Sequence, residues 1–170
     1  MDQETLKAQF LAAYERHADE LYRFIYFKIS NKEKAEDVTQ EVFIELWQAL
    51  RKKTKIKNTR AFLFTVARNR IIDWYRKKKS VSLETITSTG VEFQGDDASS
   101  VTMRTEFDQV VAAMEQLDDA SREVVQLRHI EGFTPQEIAD VTGESANAVS
   151  VRLNRATKRL KELLHANTTT

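Results

Sequence analysis

The stretch FTPQEIADVTGESANAVSVRLNRATKRLKELL, residues 133–164, decides how the C-terminal part of this chain folds. Thr134-Pro135-Gln136-Glu137 is a helix start: the threonine hydroxyl can cap, proline suits the first turn because it has no N–H to leave unsatisfied, and Glu137 can complete a capping box. The pattern predicts a short helix ending near Val141, a tight turn at Thr142-Gly143-Glu144, and a second helix capped by Ser145. The internal spacing carries the most information. Ala139 is small where two helices cross closely, Gly143 permits a positive φ four residues on, and Val149 plugs the core six later, which is the helix-turn-helix pattern.

On the second helix of that pattern Val149, Leu153, Ala156, Leu160 and Leu164 form a narrow apolar stripe. Asn147, Ser150, Val151, Asn154, Arg155 and Lys158 then point away, with Arg152, Arg159 and Lys161 flanking them. Those side chains can hydrogen-bond base edges or phosphates, so the expectation is duplex DNA binding. The plainer alternative is an amphipathic helix with a solvated basic face.

Composition narrows the classes open to the whole chain. Its 170 residues are 41% hydrophobic, enough for one medium domain or two small ones, and only four glycines and one proline point to a nearly all-helical protein. Zero cysteines remove disulfides, thiolate catalysis and thiolate zinc sites, and His17, His129 and His165 fall in separate segments, so neither a metal nor another cofactor is expected. The start MDQETLK lacks the layout of a signal peptide and no apolar run reaches the ~18 residues of a membrane span. A cytoplasmic location without membrane insertion is the expectation.

The formal charge of +0 hides a segregation of sign. Between Arg51 and Lys79 twelve basic residues face one acid, a surplus of +11, whereas from Glu84 to Asp119 nine acids face Arg104 alone, a balance of −8. Solubility alone would intersperse the signs. Helical periodicity predicts three helices in residues 1–79: one ending at Ser30-Asn31, a second near residues 33–50, and a third near residues 59–78 capped by Asn58 or Thr59. Residues 80–102 change to Ser, Thr, Gly and Asp without a helical period and read as a flexible acidic linker. Helical patterning returns over residues 103–166, so the fold class is all-α, with two small helical domains joined by a tether.

In the second helix, KAEDVTQEVFIELWQAL, Ala35, Val38, Val42 and Leu46 make one apolar face, and Phe43, Ile44, Trp47 and Leu50 widen it beyond what a one-sided surface helix needs. A polar edge of Asp37, Gln40, Glu41 and Gln48 lies beside it. Either a partner covers this strip, whose tryptophan and carboxylates suit a binding hot spot, or helices one and three enclose it. The third helix is expected to bury Leu63, Val66, Ala67, Ile71 and Trp74. Asn69, Asp73 and Arg76 fall on its other side near Arg68, Arg70 and Tyr75, a surface suited to tracking a nucleic-acid backbone and stacking or hydrogen-bonding an unpaired base.

Three blocks in this order, AEDVTQEVFIELWQAL, AFLFTVARNRIIDWYRKKK and SREVVQLRHIEGFTPQEIADVTGESANAVSVRLNRATKRLKELL, resemble regions 2.2, 2.3–2.4 and 4 of bacterial sigma factors of the extracytoplasmic-function group. The resemblance implies a non-enzymatic initiation factor whose partners are core RNA polymerase, through its β′ clamp helices and β flap, promoter DNA, and an anti-sigma factor where one exists. It implies that Asp37, Gln40, Glu41, Phe43 and Trp47 bind the clamp. It also implies that Asn69, with the loop of residues 53–58 ending at Asn58, captures a flipped −10 base beside Arg68, Asp73, Arg76 and Lys77. On the recognition helix it implies −35 contacts by Arg152 and Arg155, within the set Asn147, Ser150, Arg152, Asn154, Arg155 and Lys158. The acidic linker would thread the polymerase interior. Two departures stand out: Asp118-Asp119 follows Leu117 where the family has proline, and the family's basic residue on the recognition helix is Ser150. Two rival readings remain, a helix-turn-helix regulator that is not a sigma subunit, and a metal-dependent helical enzyme built on Asp37, Glu41 and Glu45.

Overall fold

The computed structural model describes residues 3–82 and 101–168, with side chains over residues 3–80 and 106–166. The chain divides into two compact units, Met1–Phe93 and Gln94–Thr170. Most of the expected linker, residues 83–100, lies outside the described residues. Its edges are helical, because no glycine or proline interrupts residues 59–89 and Ser80 Oγ bonds back to the Lys77 carbonyl at 2.7 Å. Helix α3 thus runs to Ser82, two residues past the expected start of the linker.

In the N-terminal unit α1 (Gln3–Ile29), α2 (Lys32–Arg51) and α3 (Thr59–Ser82) pack on one another. Ser30 takes a left-handed turn at φ 53°, and Asn31 caps α2 by accepting from Lys34 N at 2.8 Å. The far end of α2 closes through Lys53 N to Leu50 O (3.0 Å) and Thr54 N to Ala49 O (2.9 Å), the Schellman arrangement. Its left-handed position is filled by Lys53, φ 54°, where glycine would be unstrained. Asn58 then caps α3, accepting from Ala61 N at 3.0 Å. The basic loop of residues 52–58 is thus framed by a cap at each end.

Leu21, Phe24 and Ile25 of α1, Val38, Val42 and Leu46 of α2, and Leu63, Phe64 and Ala67 of α3 form the core, with the Phe24 and Phe64 rings 4.9 Å apart. Trp74, expected in that core, is half-buried instead, edge-on to Tyr75 and covered by Lys78 Nζ at 5.1 Å from its ring. Glu20 ties α1 to α3 by accepting from Arg60 Nε (3.0 and 3.1 Å) and Nη2 (2.8 Å), while His17 Nδ1 lies 2.6 Å from Glu20 Oε1.

In the C-terminal unit α4 (Val101–Glu115), α5 (Asp119–Val125), α6 (Pro135–Thr142) and α7 (Ala146–Thr168) surround Leu127, Phe133, Ile138 and Val149, all fully buried. Asp118 caps α5, accepting from Ser121 N at 2.7 Å; the hydroxyl and N–H of Ser121 together hold its carboxyl below the usual range. The Arg122 guanidinium donates to the carbonyls of Met114 (2.9 Å), Glu115 (3.0 Å) and Leu117 (3.0 Å), and so satisfies the end of α4. After α5 the helix widens into a π segment, Gln126–Ile130, where Glu131 N reaches back five residues to Gln126 O at 3.1 Å. Gly132, φ 72°, turns the chain so that Phe133 enters the core.

Burial pushes the Glu20 carboxyl up, but the hydrogen bonds and charge of Arg60, aided by His17, outweigh it and hold the group below its ordinary value of 4.5. A lowered folded-state value stabilises the fold above 4.5, and that contribution disappears as pH falls through the folded value. Both tryptophans, Trp47 and Trp74, report on this unit alone. Urea unfolding followed by their fluorescence is expected to show Glu20→Gln less stable at pH 7, on the order of 1–2 kcal/mol. The difference from the wild type closes as pH drops below about 4.5.

Candidate nucleic-acid and partner interfaces

The geometry of α6 and α7 follows from their termini. Thr134 Oγ1 accepts from Glu137 N (3.3 Å) and Glu137 Oε2 accepts from Thr134 N (2.8 Å), which completes the capping box with Pro135 in the first turn. Gly143 ends α6 at φ 76°, its N–H donating to Ala139 O at 2.9 Å. Two residues later Ser145 Oγ accepts from Ala148 N at 3.1 Å and α7 begins. This short connection leaves Val149 and Ala156 buried against the unit.

At about 100° per residue, Asn147, Val151, Asn154 and Lys158 fall within about 60° of one another on the far side of α7, with Ser150 and Arg155 at its margins. All are exposed except Ser150, which is half-buried. Arg152 is different. It lies roughly 130° round the helix from that face, where Glu144 receives its Nη2 at 3.2 and 3.3 Å, and its Nε is buried without a hydrogen-bond partner. Helical register thus sets Arg152, expected among the −35 contacts, apart from that face and turns it toward its own unit, where it joins the turn to α7.

On α3, Asn69, Asp73, Arg76 and Lys77 are exposed, with Arg76 Nη2 3.5 Å from Asp73, and Arg68 is half-buried. Tyr75 donates its hydroxyl to the Lys28 carbonyl, which fastens this face to the end of α1. The Asn58 side-chain oxygen caps α3 and so fixes the end of the basic loop. Arg60 and Arg70 spend their charges inward, Arg60 on Glu20 and Arg70 on Glu45 and, at 3.6 Å, Glu41. Two carboxylates of the hypothetical metal site thus already serve as partners of a guanidinium, and the described residues contain no cluster able to hold a metal ion.

On α2 the exposed ridge comprises Asp37, Gln40, Ile44 and Gln48, with Glu41 and Trp47 half-buried along its margins. Phe43, expected in the docking strip, is instead a core residue only 3% exposed. Phe10 and Tyr14 of α1 cover it at ring distances of 6.2 and 4.8 Å, and Phe10 also stands edge-on to Trp47 at 5.5 Å. Ile44, 54% exposed, is the apolar centre of the ridge. The sequence marked Ile44 as surplus to the core but did not single it out as a contact.

The chain matches the sigma-70 region 2 family over residues 13–81 and the sigma-70 region 4 family over residues 107–160. It is 33% identical over 141 residues to the RNA polymerase sigma factor CnrH of Cupriavidus metallidurans, covering 78% of this chain and 74% of CnrH. This chain belongs to the extracytoplasmic-function group of sigma-70 factors. The sigma factor BldN of Streptomyces coelicolor is 28% identical over 155 residues; the match takes in 89% of this chain and 58% of BldN's length.

Solved structures agree on architecture. CnrH bound to the cytosolic domain of CnrY superposes with a TM-score of 0.68 at 29% identity, covering 94% of this sigma factor and 90% of that chain. The sigma factor RpoE of Bartonella quintana, bound to the anti-sigma factor NepR, superposes at 0.75 with 24% identity and coverage of 92% and 97%, a likeness of fold. This sigma factor is a transcription initiation factor that binds core RNA polymerase and directs it to promoters, within a family of non-enzymatic proteins. No helix among the described residues is long and apolar enough to cross a membrane.

The two arginines of α7 are expected to separate in experiment. Arg152→Ala removes the link to Glu144 and lowers the stability of α5–α7 by on the order of 1 kcal/mol, read as faster amide hydrogen exchange. Arg155→Ala changes that exchange by less than about 0.5 kcal/mol.

Proposed function

We propose that this sigma factor divides promoter recognition between its two units, residues 1–79 gripping polymerase and the −10 strand and residues 103–166 reading the −35 duplex. The ridge of Asp37, Gln40, Glu41, Ile44 and Trp47 docks on the β′ clamp helices, with Ile44 and Trp47 as apolar anchors inside a polar rim. The C-terminal unit also contacts the β flap. The observation that carries this reading is the half-covered Trp47 beside the exposed Ile44: the chain's own α1 has reached over Phe43 and stopped, leaving an apolar centre open.

Asn69, with the basic loop of residues 52–58, takes the unpaired −10 base, while Asp73, Arg76, Lys77 and Arg68 line the strand beside it. Loop and helix suit the task because extruding a base costs a few kcal/mol, which rigid, pre-placed donors and cations offset. Lys53 held in left-handed backbone and Asn58 held as a cap supply that rigidity. Asn147, Ser150, Asn154, Arg155 and Lys158 face the −35 duplex. The factor works in the cytoplasm without a cofactor, and an anti-sigma protein controls it by covering the same ridge.

Run-off transcription with core polymerase on a selected promoter pool tests the whole reading, which fails if the chain confers no initiation. Trp47→Ala is expected to weaken core binding by roughly 30-fold, the cost of a hot-spot residue. Asn69→Ala leaves core binding unchanged and reduces promoter opening at least tenfold, read by permanganate reactivity of unpaired thymines. Loss of core binding in Asn69→Ala would overturn the role given to that residue.

A further inference from the structure

The face that α7 turns outward has an apolar residue at its centre. Val151 is 41% exposed, close to Val110 of α4 at 38%, whereas Val124, Val125, Val141 and Val149 of the same unit are each at most 3% exposed. Asn147 lies one turn before it, Asn154 and Arg155 one turn after, all exposed, and Ser150 is beside it. A β-branched residue on a solvated helix face gives up helix propensity and, in the free chain, gains no burial in return.

Its chemistry is narrow. Valine has no donor or acceptor, so it cannot read the hydrogen-bonding pattern of a base edge, and the major groove displays one apolar group, the 5-methyl of thymine. The stiff χ1 of valine in a helix holds its two methyls in one direction, so little freedom is lost on contact. The neighbours suit an adjoining adenine, since asparagine can bond both N6 and N7 of that base. One turn of helix on either side spans about 12 Å, or three to four base pairs.

We infer that Val151 is a specificity-determining residue that selects a thymine in the −35 element through contact with its 5-methyl group, flanked by adenine contacts from Asn147 or Asn154. The inference rests on α7 being the duplex-reading helix and adds the base that its centre requires.

Holoenzyme made from the full-length chain is used to select duplexes randomised across the −35 region. Each thymine of the selected sequence is then replaced singly by deoxyuridine, which removes the methyl and leaves every hydrogen-bonding group in place. One replacement is expected to weaken wild-type binding roughly fourfold, the value of one buried methyl group. Val151→Ala binds the thymine duplex at that weaker level and does not distinguish thymine from deoxyuridine. Its helical content is unchanged, since alanine favours the helix. Arg155→Ala binds more weakly on every sequence and keeps the thymine preference.

A selected element on which no deoxyuridine replacement matters, or a Val151→Ala protein that still senses the methyl, overturns the inference while leaving α7 as the reading helix. Failure to select any −35 sequence, with Arg155→Ala binding like the wild type, overturns both.

Discussion

Gly143 sits between two helices that must cross closely, and its backbone angle governs what each of them presents. At φ 76° the chain leaves α6 through a left-handed residue and re-enters helix within three positions, so α7 starts at a fixed rotation about its own axis. Space is not the reason for glycine here, since a Cβ at this position would meet nothing within 4 Å; the backbone angle alone excludes most side chains. With that rotation set, Val149 falls into the core, Arg152 falls beside Glu144, and the row from Asn147 through Val151 to Lys158 faces outward. A one-residue change in the turn would rotate α7 by about 100° and swing its packing stripe out of the core.

The N-terminal unit solves a different problem, which is to hold a strongly basic helix against its neighbours. Two half-buried arginines there are answered by carboxylates: Arg60 by Glu20, Arg70 by Glu45 and Glu41. Exposed basic residues remain in the loop of residues 52–58 and at Arg76 to Lys79 of α3, so the outward charge there stays positive. The same ion pairs draw the carboxylates of α2 toward α3 on one margin, and Trp47 occupies the other. The exposed ridge between those margins combines an apolar residue, Ile44, with the amides Gln40 and Gln48 and the acid Asp37.

Much of this was legible from residue types at fixed spacings. Thr134, Pro135, Glu137 and Gly143 announce the termini of α6 because capping is local chemistry, and Ser145 and Asn58 act in the same way for α7 and α3. Sequence spacing does not reveal how far a neighbouring helix reaches. Phe43 had the periodicity of surplus apolar surface, and only the placement of Phe10 and Tyr14 along α1 makes it core. Arg152 read as one basic residue among several because its partner sits across the turn, outside the helix whose face was being counted. The π segment at Gln126–Ile130 had no signature in the residue types either.

Lys53 carries a further consequence. Glycine in that left-handed position would relieve strain on the order of 1 kcal/mol, yet would remove a cation from the loop. On the −10 role proposed for this loop, heat tolerance and promoter melting are set against each other at a single residue. A screen that rewarded only thermal robustness would drift toward glycine there and strip the proposed −10 loop of a cation.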